Sequence, residues 1–155
     1  MPGERPAGGH PIPVRGLDHI VLRVANLDAM IAFYGEVLGC HVERRLDELG
    51  LIQLRAGNAL IDLVPVDSKL GREGGAAPGL GGRNLDHLCL RVEPFDEAAI
   101  RRHLDAHGVS AGPVEQRYGA EGDGPSIYLL DPERNTVELK GPSCELVNNT
   151  HKLYG

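Results

Sequence analysis

Along this chain, apolar and polar positions alternate with a period of two in several short runs, and one such run is written twice. In "LDHIVLRV", which begins at Leu17, alternation sets His19, Val21 and Arg23 on one face of a strand and Ile20, Leu22 and Val24 on the other. In "LDHLCLRV", which begins at Leu85, His87, Cys89 and Arg91 share a face while Leu88, Leu90 and Val92 share its opposite. Each copy therefore has one face suited to a core and one that carries an imidazole.

A helix pattern follows each copy. In "NLDAMIAFYGEVLG" Asn26 can cap, Asp28 favours the first turn, Met30, Phe33, Tyr34, Val37 and Leu38 follow helical spacing, and Gly39 can terminate. In "EPFDEAAIRRHLDAHG" an acidic first turn precedes a thinner stripe of Ile100 and Leu104, and Gly108 ends it. Three short β-rich segments come next in each half: "HVERRLDE", "LIQLRAG" and "ALIDLVPV", then "GPVEQRYG", "PSIYLLDP" and "NTVELKGP". Each half reads β-α-β-β-β. The glycine-rich "SKLGREGGAAPGLGGR" between them is expected to be a flexible linker or lid with no regular element. The predicted fold is α+β: two tandem βαβββ modules forming a curved mixed sheet around a metal-binding cleft, with the helices on the outer face. The expected boundaries are a mobile arm over 1–15, module one over 16–67, the linker over 68–83, module two over 84–142 and a tail over 143–155.

A length of 155 residues suits a single domain. A net charge of −6 without a basic cluster, and six aromatic residues in all, exclude the electrostatic footprint and stacking platform of a nucleic-acid binder. No apolar run approaches membrane-spanning length, and the opening "MPGERPAGGHPIPV" lacks the apolar stretch of a signal peptide, so a cytoplasmic location is expected. Cys40, Cys89 and Cys144 have no C-x-x-C spacing, which argues against a disulfide framework or thiolate zinc site. In that setting the "NNT" at Asn148 is not a glycosylation signal. The expected partner is a small molecule.

In "NTVELK" alternation separates Glu138 from Val137 and Leu139, so a carboxylate joins the two repeated imidazoles. His19, His87 and Glu138, arriving from three strands, can hold one divalent ion on one side and leave positions open for water or substrate. His103 and His107, spaced i and i+4 on the second helix, lack the intervening glutamate of a metalloprotease helix and are read as solvent-facing. Cys89 shares the His87 face. Arg23 and Arg91 can either hold an anionic substrate or pair with acidic neighbours.

The duplicated pattern, with "LDHIVLRV", "AFYGEVLG", "NLDHLCLRV" and the closing "IYLLDPERNTVEL", resembles the vicinal-oxygen-chelate superfamily over residues 16 to 142. That superfamily contains glyoxalase I, extradiol dioxygenases, fosfomycin-resistance enzymes and bleomycin-binding proteins. The resemblance implies His19, His87 and Glu138 as ligands of one divalent ion (Zn, Ni, Co, Mn or Fe(II)). It further implies Asp62 at the position of a fourth, usually glutamate, ligand, where it can ligate or serve as a base through water. Tyr128 falls at the spacing of the tyrosine found in extradiol enzymes. Where the family turn usually has glycine, this chain has Arg134.

The resemblance implies a glyoxalase-like lyase or isomerase that works through metal-stabilised enediolate chemistry on an oxygen-chelating substrate, with Glu138 or Asp62 as base. Competing expectations are Fe(II)-dependent ring cleavage, with Tyr128 orienting the substrate, fosfomycin-type addition, and a binding module without chemistry. A homodimer is expected, with the site formed within one chain or across two.

Overall fold

A computed structural model describes residues 10–143. Cys144, Asn148, His151 and most of the expected terminal arm and tail lie outside the described residues. The first half comprises β1 (His19–Val24), α1 (Leu27–Ala32) running into a π-helical turn (Phe33–Val37), β2 (Val42–Leu46), β3 (Leu51–Ala56) and β4 (Ala59–Pro65). After α2 (Lys69–Glu73) the second half repeats the series with β5 (Leu88–Arg91), α3 (Glu97–Ala106), β6 (Glu115–Gly119), β7 (Gly122–Leu130) and β8 (Thr136–Lys140).

The two halves form two four-stranded mixed sheets, ordered β1-β4-β3-β2 and β5-β8-β7-β6. In each, the first strand runs parallel to the last while the other pairs are antiparallel. The α+β architecture of two βαβββ modules is as expected, although hydrogen bonding divides the strands into two sheets. Caps at the predicted places start the helices: Asn26 accepts from the Ala29 amide at 3.1 Å, and Asp96 from the Ala99 amide at 3.0 Å. Gly39 and Gly108 follow the helical segments with φ of 73° and 67°, where a side chain would be strained.

One core serves both modules. Leu22, Met30 and Ile61 of the first half belong to the same buried cluster as Leu104, Ile127 and Val137 of the second. The junction is also polar and specific. The buried Tyr34 hydroxyl donates to Asp131 Oδ2 at 2.9 Å, and Asp131 accepts as well from the Glu133 and Asn135 amides and from Asn135 Nδ2. Glu133, from the turn between β7 and β8, accepts from the Ala25 amide at 2.7 Å and the Asn26 amide at 3.1 Å, just ahead of α1. A carboxylate of module two thus stabilises the positive helix end of module one.

The linker holds a short regular element that its glycine content did not predict. Ser68 accepts from the Gly71 amide at 3.0 Å and starts the short helix α2. A Cβ at Gly71 would lie 1.9 Å from the Pro65 carbonyl oxygen, so this glycine permits close packing rather than mobility. Arg23 then fixes the segment that follows: its guanidinium donates to the carbonyls of Gly71, Gly74, Gly75 and Ala76 at 2.8–3.0 Å. Glycine content alone concealed a strap whose backbone carbonyls have a dedicated donor.

Candidate metal centre

The repeated Asp-His pair builds the same local geometry twice. His19 Nδ1 lies 2.6 Å from Asp18 Oδ1, and His87 Nδ1 lies 2.6 Å from Asp86 Oδ1. A carboxylate on Nδ1 makes that nitrogen the donor and leaves Nε2, with its lone pair, for a metal. The Asp18 hydrogen bond, with the charge of Asp62, holds His19 above its ordinary pKa of 6.5. His87 is raised by the Asp86 hydrogen bond and the Glu138 charge, against an opposing effect of burial.

In module two the strand register assembles the rest. β5 and β8 align Cys89 with Glu138, and β7 and β8 align Tyr128 with Glu138. Glu138 Oε2 lies 3.2 Å from His87 Nε2, and its other oxygen accepts from the buried Ser126 hydroxyl at 2.6 Å. Burial of Glu138 favours the protonated acid, yet the Ser126, Cys89 and Tyr128 donors and the His87 charge outweigh it and keep its pKa below the usual 4.5. The Tyr128 ring meets His87 edge-on with centroids 5.9 Å apart, and the Arg117 guanidinium lies 6.0 Å from its centre. Burial and the neighbouring Glu138 push the Cys89 thiol up to about 11, so it acts as a proton donor to Glu138 and not as a thiolate.

Module one offers a simpler face. Asp62, which is 4% exposed, accepts from Gln53 Nε2 through both oxygens at 3.2 Å, in register with Val21 beside His19. By position in the fold, His19 and Asp62 correspond to His87 and Glu138.

The two faces do not meet within one chain. Each lies on the side of its sheet opposite the strand residues that enter the shared core, and among the described residues no three His, Cys, Asp or Glu side chains are grouped to hold a metal. The structure brings His87, Glu138 and Tyr128 together, sets His19 beside Asp62, and leaves the two sets apart. Arg23 is engaged by the strap carbonyls, and Arg91 pairs with Glu121 at 2.7 Å. His103 Nε2 contacts the Val37 carbonyl at 2.9 Å, and His107 Nδ1 the His103 carbonyl at 2.9 Å, so both are tied to backbone.

Four contributors were missed in the sequence. Asp18 and Asp86 stand in the repeated "LDH" itself, where the aspartate recurs as faithfully as the histidine. Ser126 and Gln53 carried no signal, since their roles depend on the register of a neighbouring strand. The donor set of module two fits a divalent ion: an imidazole tied through Nδ1 to Asp86, whose Nε2 is left for a metal once the ring gives up its proton, and an ionised carboxylate oxygen 3.2 Å from that nitrogen.

The chain is 29% identical over 136 residues to the "Glyoxalase domain-containing protein RDO1" of Mycosarcoma maydis, an alignment covering 83% of this chain and 69% of that protein. It is 27% identical over 128 residues to virulence protein STM3117 of Salmonella typhimurium, covering 79% of this chain and 81% of the relative. The crystal structure of that virulence protein superposes with a TM-score of 0.70 at 25% identity, over 84% of this chain and 98% of that one. The fosfomycin resistance protein FosX of Listeria monocytogenes shares the fold, with a TM-score of 0.61 at 20% identity, over 85% of this chain and 97% of that one. A family model matches residues 16–139, and with it the duplicated modules and the paired histidine strands find their place: the chain belongs to the Glyoxalase/Bleomycin resistance protein/Dioxygenase superfamily.

Proposed function

We propose that this protein is a divalent-metal-dependent lyase or isomerase of the glyoxalase type, acting on a small substrate with two vicinal oxygens. In this reading its site is completed by a second copy of the chain. The observation that carries the proposal is the doubled Asp-His pair together with Glu138, held 3.2 Å from His87 Nε2. Because the His19 and Asp62 face and the His87 and Glu138 face are separate in one chain, a two-fold homodimer can set the first of one protomer against the second of its partner. Each dimer would then have two equivalent sites.

His19, His87 and Glu138 would hold the ion. A bound divalent ion would polarise the substrate oxygens and stabilise negative charge developing on them. Asp62, oriented through both oxygens by Gln53, takes the proton from the carbon next to the carbonyl and returns it to the neighbouring carbon. Tyr128 orients the substrate from the Glu138 side and narrows the access of water. A ring-cleaving reading has one observation in its favour, the placement of Tyr128 against both His87 and Glu138.

Elemental analysis of protein purified without chelator tests the proposal, followed by assay on hemithioacetals and on catechols. One divalent ion per chain, lost in His87→Ala and Glu138→Ala, with turnover of a hemithioacetal, is expected. Stoichiometric iron with catechol cleavage would replace the lyase by the dioxygenase. A chain that takes up no ion, even after reconstitution, would sink both.

A further inference from the structure

A cavity of about 150 Å³ lies between the strap and the turn that joins β7 to β8, and no histidine lines it. Arg83, Arg134 and Arg23 line it, with Asn84, Asn135 and Glu133. The charges there do not cancel. Glu133 spends its two carboxylate oxygens on the Ala25 and Asn26 amides. Arg23 is committed to the strap, and its unpartnered Nε is shut against Gly74. Among the described residues, the guanidiniums of Arg83 and Arg134 have neither an ion pair nor a hydrogen bond. Two free guanidiniums therefore border one cavity, in a chain whose net charge is −6.

The two asparagines that line this cavity are fixed by hydrogen bonds. Asn84 Nδ2 donates to Asn135 Oδ1 at 3.1 Å and to the Arg23 carbonyl at 3.0 Å, while Asn135 Nδ2 donates to Asp131 at 2.8 Å. Arg134 supplies an independent sign. Its φ of 66° makes it the one non-glycine residue with positive φ among the described residues. Glycine or asparagine adopts that conformation at lower cost, so backbone preference does not account for an arginine there. Backbone strain of this kind concentrates at binding sites.

We propose that this cavity binds a small oxyanion with two or more acceptor oxygens, a phosphate group or a compact dicarboxylate, held by the guanidiniums of Arg83 and Arg134. Guanidinium forks match such oxygens in paired, charge-assisted hydrogen bonds. The ligand would touch the strap and module two at once and so tie the junction between modules. This site does not depend on the metal reading, since none of His19, His87 or Glu138 lines it.

The test is titration calorimetry of the full chain with inorganic phosphate and, separately, malonate in chloride buffer, with thermal unfolding alongside. One anion per chain is expected, with a rise in unfolding temperature; binding of phosphate alone or of malonate alone assigns the class. Arg83→Gln and Arg134→Gly should each weaken binding by about tenfold or more, the loss of a charge-assisted contact. Arg134→Gly suits the left-handed backbone, so it should unfold no lower than wild type without anion, which separates lost binding from lost folding. His87→Ala should bind the anion as wild type does. No heat from either anion up to roughly 10 mM, a ceiling on useful affinity, would overturn the site, as would undiminished binding in both arginine variants. Loss of binding in His87→Ala with retention in Arg134→Gly would place the anion at the histidine face and refute the cavity.

Discussion

Asp86 illustrates how much a residue can contribute without touching a substrate. It orients His87 through Nδ1, and partners of this kind typically govern metal affinity by roughly 10–100-fold. Asp86→Asn is expected to weaken metal binding by about that factor, measured by competition with a chromogenic chelator; unchanged affinity would show that the imidazole needs no such partner. The same histidine sets a pH dependence. His87 has its pKa raised above 6.5 in the folded chain, so in chelator-treated protein its contribution to stability is fully present below 6.5. That contribution is lost as pH rises through the higher folded value. Glu138, lowered below 4.5, works in the other direction: its contribution is present above 4.5 and disappears as pH falls through the lower folded value. Metal uptake needs the neutral imidazole, so it strengthens with pH over the range where the apo chain loses the first contribution. Unfolding temperatures from acid to neutral pH check this, because His87→Ala should lack the alkaline-side decline; identical profiles would refute it.

At the scale of elements, strands and helices were legible because alternation, caps and terminal glycines agree along each half. Asn26 and Gly39 bracket the first helical segment as the pattern predicts, and the duplicated strand pointed to both imidazoles. What depends on register or on distant chain was not legible. Ser126 reaches Glu138 only because β7 aligns Tyr128 with it, and no local pattern states that alignment. The strap read as loose because glycine serves both flexibility and close approach, and only the position of Pro65 distinguishes them at Gly71. The Tyr34 contact with Asp131 is another pairing far apart in sequence. Tyr34→Phe should lower stability by about 1–3 kcal/mol, the usual cost of removing a hydrogen bond to a buried charged group. Denaturant unfolding measures it, and a change in midpoint without a change in slope is the expected form.

For the whole molecule, the separation of the two faces leads to a prediction that no single-chain site shares. Mixing His19→Ala and Glu138→Ala chains, each without function, lets mixed dimers form in which one of the two sites draws both intact faces. After random exchange, about a quarter of all sites should recover metal and activity, by the symmetry of a two-fold dimer. No recovery after exchange, shown to be complete by mass spectrometry, would place the site within one chain.

The carboxylate of Glu133 has a consequence for how such a chain can be divided. The repeat invites a cut in the strap to yield two equal pieces, yet the piece containing α1 would lose the acceptor for its Ala25 and Asn26 amides. It would also lose the partner of its most buried hydroxyl, Tyr34. The expected outcome is that the half containing α1, expressed alone, stays unstructured until the other is added, and that a gene split at the strap works as a complementation pair; a folded isolated half by circular dichroism would refute this.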